Sequence, residues 1–125
     1  MNALSEYRRN AIEGKSGIGL VVVLYDALVG ALYKGALAIK QGDIESRTKN
    51  LNQAIRIAGH LQATLDRSKG GEVAATLDRF YTALMREVLR ASANSDVTIL
   101  EKQISHVASL AEAWREAERK QQPTI

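Results

Sequence analysis

Apolar positions fall into four blocks along the chain, and the first block differs from the other three. From Ile18 to Tyr33 the sequence IGLVVVLYDALVGALY leaves only Gly19, Asp26 and Gly30 outside the apolar class. The period and length predict a helix over about 17–41, apolar on nearly every side, so it must be central to a core, in a membrane or covered by a partner. The later blocks carry single stripes at steps of three and four. Leu51, Ile55, Ala58, Leu61 and Leu65 predict a helix over about 44–68, and Val73, Leu77, Phe80, Tyr81, Leu84 and Val88 predict one over about 72–93. Val97, Leu100, Ile104, Val107, Ala111 and Trp114 predict a fourth over about 96–119, with a heptad-like seam suited to shallow packing angles.

The breaks carry helix-end chemistry. Gly42 is a C-terminal cap and Asp43 the next N-cap, Gly70-Gly71 punctuates the middle, and Asn94-Ser95-Asp96 ends the third helix and caps the fourth. Thr98 and Glu101 have capping-box spacing for a slightly later start. Helices of similar length joined by short turns run antiparallel to their neighbours. The expected fold is therefore all-α, an up-down-up-down four-helix bundle over 17–120. Residues 1–16 form a short leader with Leu4, Tyr7 and Ile12 as its apolar side chains, and residues 121–125 form a frayed polar tail.

Composition narrows the function. The 125 residues suffice for one domain with its own core, and the absence of cysteine removes disulfides and thiolate metal sites. The net charge of +3 is spread along the chain with no Lys/Arg run, which argues against nucleic acid as a partner. The leader does not read as a signal peptide. Asp26 and Lys34 interrupt the long apolar stretch, each at a cost of about 2.5–3.5 kcal/mol near a bilayer centre, so membrane insertion is not expected. A cytoplasmic location is.

Catalytic and cofactor signatures fail on the letters. Di-iron bundles need Glu three residues before His, whereas Ile57 precedes His60 and Gln103 precedes His106 at that spacing. Neither histidine has the lysine that a phosphotransfer bundle places on the next turn. Covalent haem attachment needs cysteine, Met85 reads as core filler, and Gly70-Gly71 lacks the Lys-Ser/Thr of a phosphate loop. Asp26 has no visible partner acid, base or nucleophile. The chain reads as a binding protein rather than an enzyme, with no cofactor and no metal.

A set of ordered motifs adds to this reading. They are Tyr7 in the leader, Ser16 before the first helix, Leu24-Tyr25-Asp26, and Gln41-Gly42-Asp43 at the first turn. Then come Leu65-Asp66 followed by Gly70-Gly71-Glu72, Leu77 four residues before Tyr81, and Ala113-Trp114. In this order and spacing the chain, from about Tyr7 to Trp114, resembles the FliS family of flagellar export chaperones. It departs from the family in having Ser16-Gly17 where Ser-Pro is common, and in the apolar run Val21-Val22-Val23.

The resemblance implies a cytosolic chaperone that binds the disordered C-terminal region of flagellin, prevents premature polymerisation and aids delivery to the flagellar type III export apparatus. Further partners would be export-gate components or a co-chaperone. It also implies that the leader covers the flagellin groove when empty. On this reading Leu20, Leu24, Tyr25, Leu28 and Ala31 of the first helix line a groove, and Tyr7 and Ile12 of the leader compete for it. The alternative is self-association: the spare face of the first helix is buried in a weak homodimer, making this an assembly or adaptor protein without a disordered client.

Overall fold

The computed structural model describes residues 17–121, so the leader with Tyr7 and Ile12 lies outside the described residues, as do the last residues of the tail. Four helices follow in order: α1 (Gly17–Gln41), α2 (Ile44–Ala63), α3 (Arg67–Asn94) and α4 (Val97–Gln121). They form a ring in which α1 packs against α2 and α4, α2 against α3, and α3 against α4, with the α1 contacts the most extensive. This is the antiparallel bundle the turns predict.

The first and last turns use one device. Gly42 takes a positive φ of 69°, and the Asp43 amide donates back to the Ala38 carbonyl at 2.9 Å. At the far end of α3, Ser95 takes φ 50°, and the Asp96 amide donates to the Ala91 carbonyl at 3.0 Å. Both are Schellman-type closures, which satisfy orphan carbonyls through a left-handed residue. Each turn then supplies the next N-cap. Asp43 accepts from the Ser46 amide at 3.0 Å, and Asp96 accepts from the amides of Thr98 and Ile99 at 3.0 and 3.3 Å.

The middle turn departs from expectation. The second helix stops at Ala63, not near residue 68, because the Thr64 hydroxyl donates to the Leu61 carbonyl at 2.8 Å and Asp66 starts a new helix. The Asp66 carboxylate accepts from the amides of Ser68 and Lys69 at 3.1 and 3.2 Å. Gly71 then interrupts α3 with φ 53° and ψ −128°, a conformation open in practice only to glycine. The glycine pair is thus a kink inside α3, one turn after its start.

The core explains the unusual composition of α1. Tyr25, Leu28 and Leu32 are completely buried, joined by Leu24, Ala31 and Ala36, and they meet Leu51, Ile57 and Leu61 of α2, Tyr81, Leu84 and Val88 of α3, and Leu100 and Val107 of α4. By length and apolarity alone α1 could cross a membrane, but its inner side is filled by its neighbours. Gly35 lets the Leu51 side chain of α2 pack tightly on α1: a Cβ there would lie 2.8 Å from Cγ of Leu51.

Candidate functional site

Three aromatic residues from three helices converge at the lower part of the bundle, near the start of α1. The phenolic oxygens of Tyr25 and Tyr81 are 2.6 Å apart and buried. Their rings meet edge to face at 6.4 Å between centroids, and the Trp114 ring lies 6.2 Å from that of Tyr25. Burial pushes the Tyr25 hydroxyl above its ordinary value, with hydrogen bonds to the Tyr81 and Trp114 side chains working the other way. Burial also pushes the Tyr81 hydroxyl up, and its bond to Tyr25 adds to that rise. Both keep their protons near neutrality, and the pair acts as a structural latch between α1 and α3.

The next residue in each chain segment repeats the contact on the outside. Asp26 pairs with Arg115, so α1 and α4 are joined by an inner aromatic layer and an outer ionic one. Both partners of the outer pair are more than a third exposed, so its contribution is small, about 0.2–1 kcal/mol.

Beside the aromatic cluster an apolar cavity of about 340 Å³ opens at the end of the bundle. Val21 of α1, Leu61 of α2, Val73, Leu77 and Tyr81 of α3 and Trp114 of α4 form its walls, and Thr64, Leu65, Asp66, Lys69 and Gly70 come from the turn and the segment before the kink. Val73 is 67 % exposed at this mouth, against the expectation that it packs in the core. Ala74, three residues before Leu77 and seven before Tyr81, is the buried residue instead. Leu65 and Leu77 are likewise only half-buried.

The structure describes the positions of the five α1 residues expected to line a groove. Leu24, Tyr25, Leu28 and Ala31 point into the bundle, and Leu20 sits at its edge with 9 % exposure. None lines an open surface, because the α2 and α4 stripes occupy that side of α1. What α1 leaves uncovered is the opposite row, where Tyr33 and Leu37 are 65 % and 51 % exposed. The composition of α1 could not separate these sides, since both are apolar. Val73 and Leu77 were read as stripe residues; their one distinguishing signal is the glycine pair just before them.

A model of the family described as flagellar protein FliS matches residues 1–121. The chain belongs to the FliS family. Among similar proteins, the flagellar secretion chaperone FliS of Salmonella typhimurium is 32% identical over 108 residues, covering 86% of this chain and 80% of its own. The flagellar secretion chaperone FliS of Campylobacter jejuni is 31% identical over 114 residues, covering 91% of this chain and 89% of its own. That of Bacillus subtilis is 27% identical over 116 residues, covering 93% and 86%. In this FliS-family chain the Leu24-Tyr25-Asp26 motif is therefore a packing device: two core residues followed by the outward acid that ties α1 to α4.

Proposed function

We propose that this FliS-family chain is a cytoplasmic flagellar secretion chaperone that acts by binding, not by catalysis. Its client is the disordered C-terminal segment of flagellin. Holding that segment keeps it from polymerising early and presents it to the export apparatus, where gate components or a co-chaperone dock in turn. The observation that carries this reading is the open apolar cavity walled by all four helices. An amphipathic client segment seats apolar anchors there at helical spacing, with its polar face outward.

Ordering such a client costs about 2–5 kcal/mol or more, so one cavity cannot suffice and the client must wrap further over the bundle. Leu24, Tyr25, Leu28 and Ala31 act from behind, as the packed wall that keeps the cavity's shape. α1 begins at Gly17, one turn before Val21 of the cavity wall, and Tyr7 and Ile12 precede Gly17 by ten and five residues in the sequence. Tyr7 and Ile12 of the leader compete with the client there.

The test is calorimetric titration with the C-terminal flagellin segment. Near-stoichiometric binding with a strongly negative heat-capacity change is expected. Val73→Glu puts a charge at the mouth and weakens binding by about tenfold or more, with an unchanged melting curve. An unchanged affinity in Val73→Glu removes the cavity from the client site. Absence of binding by the parent chain overturns the client reading itself. Tyr7→Ala separates the leader's part: an unchanged affinity rules out both contact and competition through Tyr7.

A further inference from the structure

We propose that Tyr81 gives the end cavity one hydrogen-bond donor, so that the group this cavity takes is an apolar body carrying an acceptor, an amide or carbonyl oxygen, and not plain hydrocarbon. For the client this rests on the reading above and names the class of side chain that anchors it. Tyr25 and Tyr81 each bring one hydroxyl proton, and the bond they share at 2.6 Å uses only one of the two. Among the described residues no further acceptor engages either hydroxyl. The pair therefore holds one surplus proton in a buried site, where an unmade hydrogen bond costs free energy.

Trp114 decides which hydroxyl keeps it. An indole N–H can only donate, so its bond to Tyr25 occupies an acceptor position on that oxygen. Tyr25 is completely enclosed and forms no part of the cavity wall, so a surplus proton there would have nothing to meet. The order Trp114 to Tyr25 to Tyr81 spends the Tyr25 proton on Tyr81 and leaves the last proton on Tyr81, whose side chain does line the cavity. The aromatic cluster is thus a row of donors that ends at the cavity wall.

The other polar lining groups are already engaged or lie at the rim. The Thr64 hydroxyl donates to the Leu61 carbonyl, the Asp66 carboxylate holds the amides of Ser68 and Lys69, and Lys69 is exposed. A buried donor in apolar surroundings discriminates between ligands of one shape. A matching acceptor satisfies it, and an isostere without one leaves it unpaired where the ligand has displaced water. The main-chain carbonyls of a helical client are already bonded along the helix, so the acceptor comes from a side chain. Asparagine and glutamine carry an amide oxygen on a short apolar stem.

The experiment titrates the full chain with acetophenone and with α-methylstyrene, which share a shape and differ in carrying C=O or C=CH2. Amide and indole shifts in NMR spectra report binding at the cavity. The quantity read is the ratio of the two affinities in the parent chain, Tyr81→Phe and Tyr25→Phe, so the cost of drawing the ketone out of water cancels. The ketone preference is expected to fall by about five- to tenfold in Tyr81→Phe and to persist in Tyr25→Phe, which keeps the Tyr81 proton. Circular dichroism melts verify that both variants remain folded. A ratio unchanged in Tyr81→Phe, or lost equally in both variants, overturns the proposal, as does a parent chain that binds neither probe. The flagellin segment supplies a second arm. Replacing one asparagine by leucine, or one glutamine by methionine, in that segment is expected to weaken binding to the parent by about tenfold and to leave binding to Tyr81→Phe unchanged. A segment that binds but has no such coupled position overturns the amide anchor. A segment that does not bind at all overturns the client reading, while the probe ratio still decides on Tyr81.

Discussion

Tyr25 and Tyr81 join, at 2.6 Å between hydroxyl oxygens, two helices that lie diagonally across the bundle and share little other contact. A hydrogen bond in that position fixes the relative height of α1 and α3, which apolar packing alone leaves free to slide. Removing the Tyr25 hydroxyl leaves that of Tyr81 buried without this partner, and removing the Tyr81 hydroxyl leaves Tyr25 with the Trp114 side chain alone. Tyr25→Phe or Tyr81→Phe alone is expected to cost about 1–3 kcal/mol, and the double variant less than the sum of the two. A double-mutant cycle by urea denaturation measures the coupling.

The same pair sets the alkaline limit of the fold. Both folded hydroxyls titrate above the ordinary value of 10.0, with burial as the leading cause. Below about pH 10 both states keep the proton and the stability is fully present. Above it the unfolded chain ionises first, and stability falls as pH continues to rise. The melting temperature is therefore expected to drop beyond about pH 10 in the parent chain, and to drop less in the Tyr25→Phe/Tyr81→Phe variant. Thermal melts at stepped alkaline pH decide this.

Gly35 and Gly30 are five residues apart on α1 but opposite in consequence. Alanine at Gly35 meets the buried Leu51 side chain, and overpacking of about 1–3 kcal/mol outweighs a helix-propensity gain of about 1 kcal/mol. Gly35→Ala is expected to destabilise the bundle. Gly30→Ala enters open space and is expected to stabilise it by about 0.5–1 kcal/mol. Chemical denaturation at low protein concentration compares the two.

Ser95 is the sole non-glycine residue with positive φ among the described residues. Its hydroxyl accepts from Arg47 at 2.9 Å, but that bond is exposed and contributes little. Ser95→Gly relieves the left-handed strain and is expected to raise stability by about 0.5–1 kcal/mol. A higher denaturant midpoint at constant slope verifies it.

Helix ends with one dominant signal were legible in the sequence. Gly42-Asp43 and Asn94-Ser95-Asp96 each combine a left-handed residue with an acidic cap, and both turns fall where those letters place them. The middle boundary was not legible in the same way. Gly70-Gly71 outweighs Asp66 by eye, but a capping carboxylate with two amides in reach starts a helix before the glycines, and they then serve as its kink.

Which side of α1 faces inward was harder still. Sequence periodicity identifies an apolar side only where another side is polar, and α1 has no such contrast. Leu24 and Leu28 were expected at the surface and are core, while Tyr33 and Leu37, unremarked in the same run, are outside. Which side faces inward is decided by the stripes of α2 and α4, so it emerges only from the assembled bundle.

The kink at Gly71 has one more consequence. Asp66, Lys69 and Gly70 form one lip of the end cavity, and Val73, Ala74 and Leu77 form the other. Gly71 and Glu72 join the two lips, Gly71 carries the kink, and a Cβ at Gly70 would collide with the Ala74 Cβ at 2.6 Å. The aperture is thus encoded in two torsion angles of a residue with no side chain. A change there would resize the opening while leaving the tyrosine latch beneath it untouched.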